Sequence, residues 1–165
     1  MKRGSLVPAS RRHPGSRRPA PAPGIRIREL RPGQYDSIVS VWRDAGLGFR
    51  GRGRDSRAAI ESQLRQNRGL YLGAFDGLRL VGVVLATHDT RKGWINRLAV
   101  RPSHQRRGVA TRLVGEAERA LVARGISLVA AHVDRPNRAS LRLFRKLGYE
   151  PFPVTYVRKK GRRST

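Results

Sequence analysis

The chain has 165 residues, the length of a single domain, with no cysteine and no apolar run near the roughly 20 residues that span a bilayer. These features exclude disulfides, cysteine-ligated metal centres, a thiol nucleophile and a transmembrane helix, and they suit a reducing, cytoplasmic setting without a membrane partner. Net charge is +25, from 36 Lys plus Arg against 11 Asp plus Glu, which predicts a positive surface with affinity for polyanions.

Residues 1–24 contain six basic groups, no acid and five prolines (Pro8, Pro14, Pro19, Pro21, Pro23). Prolines this dense deny a helix its donors, and little apolar surface is present to offset ordering, so the segment reads as a disordered basic arm without a secretory apolar region. Residues 25–157 form the expected domain. Residues 158–165, with five basic groups and no acid, read as a basic tail. From residue 25 the sequence alternates apolar and polar (Ile25, Ile27) as a half-buried strand does, until Pro32 and Gly33 end it. Residues 35–45 place Ile38, Val39, Val41 and Trp42 at helical spacing. A glycine–arginine loop follows over residues 49–55, and Ser56 is placed to cap a second helix with Ala59, Ile60 and Leu64 inward. Two apolar runs, 70–75 and 80–87, flank Asp76-Gly77, a hairpin signal.

A third apolar run covers residues 94–100. After a turn, an amphipathic helix carries Val109, Leu113, Ala117 and Leu121 inward, and Gly125 suits its C-terminal cap. Residues 126–133 read as a strand. A short helix follows with Ala139, Leu141, Phe144 and Leu147 inward, stopped by Gly148, and residues 152–157 read as a last strand. Early antiparallel strands with a late strand–helix–strand unit predict an α/β sandwich on a mixed sheet. The four histidines (His13, His88, His104, His132) lack metal-ligand spacing, so no metal site is expected.

Chemistry concentrates in the turn Gln105-Arg-Arg-Gly-Val-Ala110. A phosphate at a helix start needs unpaired N–H groups and no side chain in the way; Gly108 and Ala110 meet the second need, residues 106–111 the first. Arg106, Arg107 and Arg112 add charge. An ordinary helix start in an Arg-rich chain is the alternative over these six residues alone. The turn is neither a Walker loop nor a dinucleotide fingerprint.

Two ordered motifs carry a resemblance. The segment Leu98-Ala-Val-Arg-Pro-Ser-His-Gln-Arg-Arg-Gly-Val-Ala-Thr-Arg-Leu113 resembles the strand followed by Q/R-x-x-G-x-G/A of the GNAT superfamily of N-acetyltransferases. The segment Asn137-Arg-Ala-Ser-Leu-Arg-Leu-Phe-Arg-Lys-Leu-Gly-Tyr149 is similar to that superfamily's N-x-x-A-x-x-L-Y-x-x-x-G-F. The resemblance covers residues 25–157. It implies a GNAT-type mixed, mostly antiparallel central sheet flanked by helices, with a splayed parallel strand pair whose gap takes the pantetheine of acetyl-CoA. The residues implied in acetyl-CoA binding are Leu98, Ala99 and Val100 on the strand, then Gln105, Arg106, Arg107, Gly108, Val109, Ala110 and Thr111 in the turn, with Asn137 and Phe144 on the later helix.

Acetyl transfer requires the amine to lose a proton, donors for the oxyanion, and protonation or stabilisation of the departing thiolate. Phe144 stands where many relatives have a proton-donating Tyr, which leaves Tyr149 as the candidate acid, against its use as a core aromatic. The chain partly resembles ribosomal-protein alanine N-acetyltransferases, which place a Glu five residues before the motif Asn; His132 stands there and is the candidate base, with a packed or exposed sheet histidine as the alternative. His88 and Asp89 are a second candidate pair, or a polar turn, and a water chain is a third route. Trp42, Phe49 and Trp94 are candidate acceptor-pocket aromatics or core. Arg50, Arg52 and Arg54 point to an acidic acceptor or form a solvated loop. The expected function is acetyl transfer from acetyl-CoA to a primary amine (protein N-terminus, lysine or small amine). The alternative is a basic nucleic-acid- or ribosome-associated protein of the same fold that binds CoA with little catalysis, its basic tails contacting RNA.

Overall fold

The computed structural model describes residues 24–134, 136–155, 157 and 159; the predicted basic arm, Gly24 apart, and most of the predicted tail lie outside them. The elements are β1 (Ile25–Glu29), α1 (Tyr35–Asp44), α2 (Arg57–Gln66), β2 (Tyr71–Asp76), β3 (Arg79–His88), β4 (Gly93–Val100), a 3-10 turn (Pro102–His104), α3 (Val109–Val122), β5 (Val129–Ala131) and α4 (Arg138–Lys146). One five-stranded sheet has the order β1-β2-β3-β4-β5. Its pairs are antiparallel except β4–β5, which is parallel. This is the mixed α/β architecture that the sequence implies.

Local chemistry explains most boundaries. Asp36 in the first turn and Arg43 in the last complement the dipole of α1, whose Ile38, Val39, Val41 and Trp42 are buried. Ser56 caps α2, its Oγ accepting from Ala59 N at 3.3 Å. The β2–β3 hairpin turns on Gly77 and Leu78, one residue later than the Asp-Gly signal suggests, because Asp76 pairs with Arg79 and Gly77 takes the left-handed φ of +57°. Gly125 closes α3: Ile126 N donates to Leu121 O (3.1 Å) and Gly125 N to Val122 O (2.9 Å), the Schellman pattern.

The two sheet faces are covered by different helices. A Cβ on Gly82 would meet Leu113, and one on Gly93 would meet Leu121, so these positions face α3. Cross-strand partners share a face, so Ile95 and Val100 belong to the α3 side, while Asn96, Ala99 and Arg101 face α1. The Arg101 side chain reaches that helix, pairing with Asp44 and donating to Ser40 Oγ at 3.0 Å.

Two expectations need correction. The strand expected over residues 126–133 is reduced to Val129–Ala131, because β4 begins at Gly93, opposite Val129, and pairs with it only as far as Ile95. The last strand, expected over 152–157, is absent among the described residues of that stretch, and Phe152, Val154 and Val157 are 81%, 68% and 82% exposed. Pro153 removes a donor within such a strand and Pro151 one just before it.

Candidate active site

The site begins with an irregularity in β4. Asn96 pairs with Leu85 and Ala99 with Val83, so Arg97 and Leu98 together face Val84. One extra residue makes a bulge, and Arg97 takes it up at φ +53°. A left-handed non-glycine costs on the order of 1–3 kcal/mol, so the surrounding contacts must hold it. Bulges bend the strand that carries them. Parallel pairing with β5 accordingly covers only Gly93, Trp94 and Ile95, and the two strands part beyond that point.

Alternation along β4 then decides what faces the gap. Arg101 N donates to Val81 O at 2.8 Å, so Ala99 and Arg101 turn their backbone groups toward β3. Leu98 and Val100 turn theirs the other way, into the opening. The Val100 carbonyl takes the Gln105 side-chain amide at 2.9 Å. An extended amide-bearing chain in the opening would meet backbone donors and acceptors as an added strand does.

The open end of the gap runs into the turn before α3. Three residues pin this turn to the fold. Arg101 Nε donates to Leu80 O at 2.9 Å; His104, buried, has Nε2 3.1 Å from Asp76 Oδ2 and Nδ1 2.8 Å from Ser103 Oγ; and Gln105 holds Val100. Between these anchors and the helix, Arg106 and Gly108 adopt left-handed φ values of +59° and +75°. Backbone N–H groups in such a sequence form an anion-binding nest, and the first N–H groups of α3 add to it. A Cβ on Gly108 would have nothing within 4 Å, so open space lies where a phosphate would sit. Arg106 and Arg107 are exposed. Arg112 has a buried Nη1 with no hydrogen-bond partner among the described residues, an unmet donor in the first turn. Val109 is buried and serves packing, while Ala110 and Thr111 remain partly accessible. The residues therefore fit a phosphate-bearing ligand.

The later motif is placed beside α3. Asn137 caps α4, its Oδ1 accepting from Ser140 N at 3.0 Å. Phe144 is 7% exposed and meets Tyr149 edge-on, the ring centroids 5.0 Å apart. The Tyr149 hydroxyl donates to Glu118 Oε1 at 2.6 Å, and burial together with this carboxylate pushes its pKa far above the ordinary phenol range. A phenol so held is a weak acid.

His132 follows β5 directly and shares the α1 side of the sheet with Ala130 and its partner Trp94. Its ring stacks on Trp94 at 4.7 Å and 12°. On the same side, Asn96 Nδ2 donates to Thr87 Oγ1 at 3.1 Å. His88 and Asp89 do not converge on this place. They build the β3–β4 turn: His88 Nδ1 accepts from Thr90 N (3.2 Å), and Asp89 Oδ1 accepts from Lys92 N (2.7 Å) and Arg91 N (3.0 Å). These backbone donors, Lys92 first, hold the Asp89 carboxyl below its usual range.

The aromatic set divides. Trp42 is core, fully buried, with Phe49 6.5 Å away. Trp94 alone sits with His132. Between the groups lies a contact that sequence reading missed. Arg97 stacks its guanidinium 4.0 Å from the Trp42 ring, donates from Nη1 to Gly48 O at 2.9 Å, and has Nη2 3.8 Å from buried Asp55. The only sequence signal was a polar pair, Asn96-Arg97, interrupting an otherwise apolar strand.

A parallel strand pair that parts beyond Ile95, with an anion nest at its open end, suits an extended, phosphate-bearing ligand. The sequence model of the acetyltransferase (GNAT) family matches residues 35–149, and the chain belongs to that family and is an N-acetyltransferase by class. It is similar to an acetyltransferase of Photorhabdus laumondii, 29% identical over 126 residues that cover 76% of this chain and 87% of the relative. Among solved structures it is similar to the PaiA N-acetyltransferase of Thermoplasma acidophilum in complex with coenzyme A, at TM-score 0.71 and 22% identity over 79% of this chain and 92% of that one. A ribosomal-protein-alanine N-acetyltransferase from Brucella melitensis gives 0.65 and 18%, over 83% and 99%. At these identities the structural likeness is one of fold. No group of residues able to hold a metal ion occurs among the described residues, and no helix among them is long and apolar enough to cross a membrane.

Proposed function

We propose that the protein transfers the acetyl group of acetyl-CoA to a primary amine on a protein N-terminus, a lysine or a small molecule, by direct attack of the amine on the thioester. The observation that carries this reading is the β4–β5 gap ending on the Arg106–Gly108 nest. In this reading the backbone of Leu98 and Val100 aligns the pantetheine arm, with Gln105 fixing the Val100 carbonyl, while Ala99 between them keeps its backbone groups on β3. Arg106, Arg107, Gly108, Val109, Ala110 and Thr111 hold the pyrophosphate. Asn137 and Phe144 border the arm. Acetyl-CoA supplies an activated acyl group, a thioester. A C–N bond forms, the C–S bond breaks, the amine loses a proton and the thiolate gains one.

His132 is the proposed proton acceptor, oriented by its stack on Trp94. Phe144 has no proton to give, and the Tyr149 hydroxyl is committed to Glu118. The reading therefore assigns no side-chain acid. A thiol of ordinary pKa, about 8.5, leaves as thiolate readily enough to take its proton from solvent. Phe144 also favours a second reading, a CoA-binding protein with little catalysis that associates with RNA or ribosomes. The exposed basic residues Arg138, Arg142 and Arg145, one face of α4, support such a partner. A cysteine-free chain of this kind suits the cytoplasm. Incubation with acetyl-CoA and a panel of amines and peptides, read as released CoA, separates the readings: acetylated product supports the first. CoA binding without product under any acceptor contradicts it.

A further inference from the structure

We propose that the acceptor carries carboxylates beside its amine, and that Arg50, Arg52 and Arg54 recognise them; this rests on the acetyl-transfer reading above. Parallel pairing closes one end of the β4–β5 gap at Ile95 and Ala131, and the phosphate nest lies at the other. The reacting end of a donor in the gap thus falls at the crotch, between the Arg97 bulge and His132. On the α1 side of that crotch lies the loop of residues 46–55, fastened to the bulge. Gly48 O accepts from Arg97 Nη1 at 2.9 Å, Asp55 Oδ2 lies 3.8 Å from Arg97 Nη2, and Arg50 N donates to the same Asp55 oxygen at 2.8 Å.

The charge of this loop is only partly compensated. Asp44 is paired with Arg101, and Asp55, 4% exposed, is used internally by Arg97 and the Arg50 N–H. Arg54 is 74% exposed with its Nε 3.9 Å from Asp55, while neither Arg50 nor Arg52 pairs with a carboxylate among the described residues. Gly51 and Gly53 separate the three, and Gly53, at φ +107°, holds a backbone shape that side chains rarely adopt. Three exposed arginines are thus carried by the loop fastened to the bulge, and each guanidinium is a fork that matches a carboxylate. Their field attracts an anionic acceptor.

The test compares, with full-length protein and acetyl-CoA, two N-terminal peptides that differ only by two glutamates exchanged for glutamines, with free glutamate as a third acceptor. At low salt the glutamate peptide should show about tenfold higher kcat/KM, from two or three exposed pairs of modest strength. That preference should shrink near 0.5 M salt, where screening is short-ranged, and vanish in the Arg50→Gln, Arg52→Gln, Arg54→Gln triple variant. The glutamine peptide should be unaffected by the triple change. Acetylation of free glutamate rather than peptide would mark a small acidic amine as the source. Equal rates for the two peptides at low salt, or a preference that survives the triple change, would overturn the proposal. If no acceptor is acetylated while acetyl-CoA binds, anisotropy of the labelled glutamate peptide decides. Binding lost in the triple variant upholds the site, whereas no binding, equal binding of both peptides, or binding of an RNA oligonucleotide in their place overturns it. Failure of the acetyl-transfer reading itself is separate: no saturable binding of acetyl-CoA.

Discussion

Replacing Gly108 by alanine separates backbone strain from ligand binding. Gly108 sits at φ +75° with open space where a Cβ would go, so the new methyl meets no protein atom. The folded state then carries only the left-handed penalty, about 1–2 kcal/mol. That corresponds to a fall of several degrees in melting temperature for a domain of this size. The methyl, however, projects into the space proposed for the pyrophosphate. Displacing even one charge-assisted hydrogen bond there removes about 1.5–3 kcal/mol, a loss of roughly 10- to 100-fold in acetyl-CoA affinity. Gly125 provides the matched control, since it has φ +80°, nothing within 4 Å of its Cβ position, and lies at the far end of α3. Gly125→Ala should lose comparable stability and bind acetyl-CoA normally. The assay is calorimetric titration of both variants beside thermal melts. Equal acetyl-CoA affinity in the two variants would refute the assignment of the turn as the pyrophosphate site.

Removal of the proposed proton acceptor by His132→Ala should lower kcat on the order of 100-fold and flatten the acid limb of the pH–rate profile, measured as CoA release; an unchanged profile would remove it as base. Tyr149→Phe should destabilise the fold by about 1.5–3 kcal/mol in chemical denaturation, because it leaves Glu118 without its partner. The same variant should leave kcat within about twofold, and a tenfold loss would return the acid role to this hydroxyl. Burial pushes the Tyr71 phenol up to about 12, above its unfolded value of 10.0. The folded state therefore keeps this proton longer, and stability should be intact below pH 10.0 and fall between pH 10.0 and about 12. Denaturation curves across that window should show a shallower fall in Tyr71→Phe.

Much of this architecture is legible because local chemistry and burial agree. The apolar spacing of α1 and α3, the Ser56 cap and the Gly125 stop each encode an element within a few residues of itself. The turn before α3 is legible for the same reason, since the role proposed for it rests on backbone groups released by Gly108 and a helix start. What escapes reading is set by contacts between distant parts of the chain. The Arg97 bulge depends on Gly48 and Asp55, and Tyr149 is committed to Glu118, 31 positions away. Nothing local marks either. The last strand expected over residues 152–157 does not form among the described residues, where Pro153 removes a ladder donor. The shortened β5 follows from the extent of its pairing with β4, which residues 126–133 cannot reveal.

The central claim is that the opening between β4 and β5, ending on the Arg106–Gly108 nest, holds acetyl-CoA. Titration of the full-length protein with acetyl-CoA by calorimetry tests it most directly. Saturable binding at one site is expected, competed by free CoA and accompanied by a rise in melting temperature. No heat and no thermal shift at millimolar acetyl-CoA would contradict it.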